Sequence, residues 1–104
     1  MSRIEFIVGG VTREEDSALV DGRVGDGDAP IRVHHTFTAI CSYTVRRGGG
    51  TLEVVHGPTE PVRLTVESIE AYRRSLDFVD GGMTARLRVR GEGLERLADE
   101  RILS

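Results

Sequence analysis

The chain contains no lysine and no tryptophan, and all of its 14 basic residues are arginines. Without lysine, the G-x-x-x-x-G-K-[ST] phosphate-binding signature cannot occur, so a P-loop nucleotide hydrolase is excluded. The segment Arg46-Arg47-Gly48-Gly49-Gly50 places arginines beside flexible backbone amides. It follows a strand pattern and opens no helix, which is typical of a hairpin tip and not of a phosphate-binding loop.

Cysteine and long apolar runs are also scarce. The one cysteine, Cys41, cannot form an internal disulfide, which favours a reducing compartment. No apolar run approaches the roughly 20 residues that a membrane-spanning helix needs. The start, Met1 to Glu5, lacks an apolar signal-peptide region, so we expect a cytoplasmic protein with no membrane association. The formal net charge of −3 gives no overall attraction to nucleic acid.

Length and composition indicate one ordinary globular domain spanning residues 1–104, because 38% of the residues are hydrophobic and 30% are charged. Apolar and polar residues alternate with period two from Ile31 to Arg46, as one long bent strand or two strands in series. This pattern places the odd-numbered side chains inward and makes Cys41 a small core residue. Shorter alternating runs begin at Ile4, Val62 and Met83.

Turn-forming segments separate these runs. They are Gly25–Pro30, Arg47–Gly50, Gly57–Pro61, which we expect to break the chain, and Asp80–Gly82, which we expect to close a hairpin. The helix-like segment Gly93–Ala98 is too short for more than one or two turns. Many short strands favour a sandwich or barrel, and closure into a barrel removes exposed sheet edges. The residues predicted near the barrel centre are Leu19 or Val20, Val24, Leu64, Val66 and Leu87.

The residues that could carry chemistry are few. His34, His35, His56 and Cys41 have no zinc-ligand spacing, and Asp26-Gly27-Asp28 lacks the remaining ligands of a calcium loop. No G-x-S-x-G nucleophile elbow is present. The sequence therefore predicts no metal site, no cofactor and no catalytic residue, while a small enzyme with an unrecognised cross-strand site stays as a third hypothesis.

Two segments carry a family resemblance. Ile69 to Gly91 reads IEAYRRSLDFVDGGMTARLRVRG, with an acidic step at Leu76-Asp77 and a turn at Gly81-Gly82. Ala18 to Val24 reads ALVDGRV. In this order they resemble the V-E-x-F-R-K-x-L-D and T-V-V-T-G-R-V segments of the second domain of elongation factor Tu and related translational GTPases. The closing stretch, Leu94 to Ser104, fills the role of that family's last strand.

The resemblance implies an all-β fold, a small closed antiparallel β-barrel of six or seven strands. It also implies a partner, because that domain helps to hold the 3′ acceptor end of aminoacyl-tRNA or contacts ribosomal RNA. The positions that match the motif are Glu70, Tyr72, Arg73, Asp77 and Gly82. Three departures stand out: Met83-Thr84 replaces a Glu-Asn pair, an acidic Val8–Ser17 segment replaces a basic one, and the segment from Arg46 to His56 has no counterpart.

Arginines supply the candidate contact surface. Arg86 and Arg88 lie on one face of a predicted strand that continues to Arg90, and Arg73 and Arg74 lie in the strand before it. Such a row could neutralise phosphates, although a solvated arginine face is the plainer interpretation. The residues predicted to contact RNA or another ligand are Arg73, Arg74, Arg86, Arg88, Tyr72 and Thr84.

The function predicted is thus a non-catalytic, RNA- or translation-related binding module. The alternative is a protein-interaction or regulatory domain that kept the barrel, lost RNA binding and uses an acidic edge at Glu14, Glu15 and Asp16. The two hypotheses differ in the partner, which is RNA in the first and a protein in the second.

Overall fold

The computed structural model describes residues 4–25 and 29–104, of which about 70% are in β-strands. The predicted turn at Asp26-Gly27-Asp28 lies outside these described residues. The described strands are β1 (Phe6–Arg13), β2 (Ser17–Val24), β3 (Ile31–Arg32), β4 (Thr36–Gly48), β5 (Thr51–Ala71), β6 (Arg74–Leu76), β7 (Phe78–Val79), β8 (Thr84–Glu92) and β9 (Arg101–Leu103). A 3₁₀ turn, Leu94–Arg96, precedes β9. Among these residues no helix could span a lipid bilayer.

Six of these strands form a closed antiparallel barrel. The order is β4-β9-β1-β2-β8-β5, and pairing of β4 with β5 closes the ring. Strand β6 pairs with the end of β5 as an extra strand outside the ring. Strands β3 and β7 pair with each other in a separate two-stranded sheet. The prediction of a small closed antiparallel barrel is confirmed. Closure leaves each of the six strands with a neighbour on both sides, which satisfies the backbone groups that an open sheet would expose.

The barrel interior is filled by the apolar side chains that the alternation placed inward. Val20, Val24, Leu64, Val66 and Leu87 are all fully buried, whereas Leu19 is partly exposed. Of the two residues that the sequence offered as alternatives for the barrel centre, Leu19 and Val20, the core residue is therefore Val20. Because side chains point alternately to the two faces of a strand, the neighbouring Arg86, Arg88 and Arg90 of β8 lie on the outside of the barrel.

The inward alternation from Ile31 fails beyond Phe37. The run consists of two strands in series, β3 and β4. Near the start of β4, the amides of Thr38 and Ala39 both donate to the Ser104 carbonyl, at 2.9 and 3.2 Å. This β-bulge inserts one extra residue, so the inward position passes from Phe37 to Ile40. Cys41 is consequently half-buried, and its prediction as a core residue is wrong.

Two turn predictions are also wrong. Gly57–Pro61 does not break the chain, because β5 runs through it and pairs Pro61 with Ala39. Pairing of β5 with β8 begins only at Arg63. Pro58 and Pro61 therefore lie where β5 has one described neighbour, β4, and such an edge position tolerates proline because one side of the strand needs no N–H donor. Asp80–Gly82 does form a turn, but it closes no hairpin, since β7 pairs with β3 and β8 pairs with β2 and β5.

The segment from Arg46 to His56 belongs to a projecting hairpin, which we call the arm (Tyr43–Gly48 and Thr51–His56). These residues pair with one another beyond Ser42, the last residue of β4 that pairs with β9. Gly49 and Gly50, with φ of 58° and 82°, form the two-residue turn that a tight hairpin requires. The residues from Thr44 to Val54 are all exposed, so the arm does not fold back onto the barrel.

Candidate functional site

The turn between β5 and β6 is built from an unusual pair of residues. Ala71 pairs with Arg74, which leaves Tyr72 and Arg73 as a two-residue turn with φ of 52° and 61°. Glycine and asparagine are the usual residues in this left-handed conformation, which costs other residues about 1–2 kcal/mol each. Non-glycine residues held in this way cluster at ligand-binding sites. The strained turn is therefore a candidate ligand-binding element, and Tyr72 within it is 76% exposed.

The turn borders an open cleft of about 610 Å³. Strands β1, β2 and β8 line the cleft, together with Tyr43 from the base of the arm. Gly22 of β2 belongs to this lining, and a Cβ there would lie 2.1 Å from the carbonyl oxygen of Ile7. The Ile7 backbone of β1 lies so close to Gly22 that no side chain fits there, and the Gly22 backbone itself forms part of the cleft surface.

Four of the six residues predicted to contact a ligand line this cleft, namely Tyr72, Arg73, Thr84 and Arg86. Arg74 and Arg88 do not line it. Arg73 lies in the turn and Arg74 opens β6, so neither belongs to the strand in which the sequence placed them. Closure of the barrel brings the turn beside β8, because Glu70 at the end of β5 pairs with Arg86.

The arginines of β8 are each paired with a carboxylate. The Nε atom of Arg86 donates to Oδ1 of Asp21 at 2.8 Å, and this hydrogen bond, followed by the charge of Asp21, raises the pKa of Arg86. Arg88 pairs with Glu14, and Arg90 pairs with Glu67 at 3.0 Å. The predicted positive row on this face is thus largely neutralised by neighbouring acids.

The turn arginines differ from those of β8. Across residues 4–25 and 29–104, neither Arg73 nor Arg74 makes an ion pair or a side-chain hydrogen bond. The guanidinium group that is most available to an anion in the cleft is therefore that of Arg73. The available positive charge lies at the turn and not along the outside of β8.

Two cleft residues that matter for binding, Tyr43 and Asp21, lie outside the set that was predicted to contact a ligand. Tyr43 reaches the cleft from β4, and no local pattern links it to Tyr72. Asp21, which neutralises Arg86, did leave a signal: in ALVDGRV it stands where the T-V-V-T-G-R-V segment has threonine. An acid that replaces a neutral residue beside a candidate phosphate-binding arginine is a change with a direct electrostatic consequence.

The histidines and the cysteine form a smaller group. The Sγ atom of Cys41 lies 3.7 Å from Nδ1 of His56, while His35 packs edge-on against Phe37. No cluster of three metal-ligating side chains occurs within the described part of the chain. Burial, with a smaller contribution from the charge of Glu5, raises the pKa of Cys41 and keeps the thiol protonated. That shift is the opposite of what a thiolate nucleophile requires.

The chain matches no protein-family model, and no curated protein matches it. The resemblance to the second domain of elongation factor Tu therefore rests on the motif order in the sequence. The cleft is interpreted below from its own residues.

Proposed function

We propose that this protein is a non-catalytic binding module that holds a single-stranded RNA end in the cleft beside the Tyr72–Arg73 turn. The observation that carries this proposal is the left-handed conformation of both turn residues, which presents an exposed aromatic ring and the Arg73 guanidinium, unpaired among the described residues, at one cleft. The motif resemblance favours the acceptor end of tRNA or a segment of ribosomal RNA as the ligand. We place the module in the cytoplasm for the reasons of composition given above.

The chemistry of the cleft suits a nucleotide with an unstacked base. Tyr72 offers a ring face on which a base can stack, and such stacking contributes about 1–3 kcal/mol per base. Arg73 offers a fork of donors that matches the geometry of a phosphate. Thr84 adds a hydroxyl group that can donate to or accept from a ribose.

The charge of the cleft limits the length of RNA that it can bind. Asp21 and Glu70 line the cleft beside Arg86, so a long phosphate backbone would meet acids on the barrel wall. We infer contact with one or two phosphates and therefore a shallow salt dependence, about 0.7 in log–log slope for each phosphate of a single strand. A deep, salt-sensitive groove for duplex RNA does not fit this surface.

The test is an NMR amide-shift titration with acceptor-stem RNA, uncharged and aminoacylated, at low and at physiological salt. Saturable shifts that cluster on Tyr72, Arg73 and Thr84 and persist at physiological salt are expected. Tyr72→Ala with Arg73→Ala should abolish them. Arg90→Ala is the matched control, because Arg90 is an exposed arginine of β8 outside the cleft. No shifts at low salt would refute the proposal.

A protein partner is the second candidate, and the ion pairs on the barrel wall favour it. Arg88 is held by Glu14, while Glu15 and Asp16 next to that pair are exposed. A regulatory domain that kept the barrel and lost RNA binding would use this acidic edge. Glu15→Arg with Asp16→Arg should then remove a nuclease-resistant, stoichiometric partner isolated from cytosol. Retention of that partner by the variant would exclude the edge as the interaction surface.

A further inference from the structure

Exposed apolar side chains are concentrated in a few places on this molecule. Among the described residues, the large exposed apolar side chains are Val45, Leu52, Val54, Tyr72 and Phe78. Tyr72 belongs to the cleft. The remaining four divide between two surfaces, one on the arm and one around Phe78, and neither surface is used by the proposed RNA site.

On the arm these side chains share one face. Val45 pairs with Val54, and the next pair on the same side joins Arg47 with Leu52. Side chains of directly paired residues lie on the same side of an antiparallel ladder, and alternate pairs repeat that side. Val45, Leu52 and Val54 therefore form a continuous apolar stripe, with exposures of 54%, 68% and 51%.

The arm is also positively charged at its end. Arg46 and Arg47 precede the glycine turn, and Glu53 is the one acid of the arm. The arginines make no ion pair within the described ranges. Arg47 lies opposite Leu52 on the face of the stripe, whereas Arg46 lies opposite Glu53 on the other face. An exposed apolar stripe that ends beside the Arg47 guanidinium would fit a surface that is apolar at its centre and acidic at its rim.

Such a surface surrounds Phe78. Leu76, Phe78 and Met83 line a mainly apolar depression of about 400 Å³, together with Asp77 and Asp80. Neither aspartate is paired with a cation among the residues that the structure describes. The Arg32 guanidinium lies 5.4 Å from the centre of the Phe78 ring. Its single positive charge is outweighed by the two negative charges of Asp77 and Asp80, so the surface is acidic. We call this surface the Phe78 patch.

We propose that the arm of one molecule docks on the Phe78 patch of a second copy of the same chain. The apolar stripe would cover Phe78, and Arg47 would meet Asp77 and Asp80. The two surfaces are complementary in charge and in polarity. Every copy carries both surfaces, and we place the two copies around a two-fold axis so that each arm docks on the patch of the other copy and the dimer is closed.

Sedimentation velocity of the full chain over a wide concentration range tests this proposal. We expect a reversible dimer. Leu52→Asp should raise its dissociation constant by at least about tenfold, because the interface loses an apolar anchor. Thr44→Asp is the matched control, because it adds the same charge to an exposed position on the opposite face of the arm. Both positions are exposed, so neither change should affect folding.

A mixing experiment identifies the docking surface. Phe78→Ser should weaken the dimer as Leu52→Asp does, and circular dichroism checks that this variant keeps its fold. When the two variants are mixed, an intact arm on one copy meets an intact patch on the other. One of the two contacts is restored, so the mixture should associate more strongly than either variant alone.

Three results would overturn the proposal. A wild-type chain that stays monomeric at every concentration excludes the dimer. A dimer that Leu52→Asp disrupts and Phe78→Ser leaves intact would show that the arms bind each other or another surface. An equal effect of Thr44→Asp would show that added charge on the arm, and not the apolar stripe, controls association.

Discussion

The Nε atom of Arg86 lies 2.8 Å from Oδ1 of Asp21, and the two side chains are direct cross-strand neighbours on β8 and β2. This ion pair is exposed, so water and salt weaken it. It nevertheless places a carboxylate beside Arg86 in the cleft where we propose that a phosphate binds. A phosphate that contacts Arg86 must therefore compete with Asp21.

Asp21→Asn should strengthen the binding of single-stranded RNA. The change removes the competing charge and keeps the shape of the side chain. It makes one more arginine available, so the log–log salt slope should become steeper by about 0.7. Fluorescence anisotropy with a labelled acceptor-end RNA at several salt concentrations measures both effects.

The control for Asp21→Asn is Glu67→Gln, which frees Arg90 in the same way at a position outside the cleft. It should leave RNA affinity and salt slope unchanged. Equal gains from both substitutions would show that the net charge of the barrel, and not the cleft, governs binding.

Relief of the strained turn should stabilise the protein and impair binding. Tyr72→Asn with Arg73→Gly supplies residues that tolerate φ values near 52° and 61°. We expect a gain of about 1–2 kcal/mol in the free energy of unfolding, because each replacement removes part of the left-handed penalty. Urea denaturation measures the gain, and RNA binding should be lost in parallel. A variant that is less stable would show that the tyrosine and arginine support the fold by other contacts.

Much of the barrel was predictable because its causes are local. Period-two alternation and turn residues depend on nearest neighbours in the chain, so Val24, Leu64 and Leu87 were correctly placed in the core. The bulge at Thr38–Ala39 was not predictable in this way. It forms because both amides bond to Ser104, a residue that β9 brings alongside β4 from the far end of the sequence.

The cleft shows the same limit. Tyr72, Arg73 and Thr84 came from motif positions, and the structure brings them together. The pairing of Arg86 with Asp21 joins residues 65 positions apart, so spacing along the chain does not place the two side chains together. A row of arginines in a sequence becomes a positive surface only when the neighbouring strands contribute no acids, and here β2 and β5 both contribute them.

Gly22→Ala should destabilise the barrel severely. The new Cβ would lie 2.1 Å from the Ile7 carbonyl oxygen and 2.8 Å from the ring of Phe6, and the backbone atom cannot move aside without separating β1 from β2. We expect a loss of about 2–3 kcal/mol or more in the free energy of unfolding, the range of strong overpacking. Gly9→Ala is the control, because the nearest atom to its Cβ is 3.6 Å away. Similar losses in both variants would mean that strand flexibility, and not contact, is the cause.

Acidification should destabilise the fold through His35. Burial lowers the pKa of His35 from the ordinary 6.5, so the unfolded chain binds the proton more readily than the folded chain. The stabilising contribution of the neutral ring is complete above pH 6.5 and is lost as the pH falls from 6.5 through the folded pKa. His35→Gln cannot titrate and should lack this decline. The difference between the urea midpoints of wild type and variant, followed from about pH 8 to about pH 5, isolates the effect from that of the carboxylates. A difference that stays constant with pH would show that the His35 ring titrates alike in the folded and the unfolded chain, and would contradict the prediction.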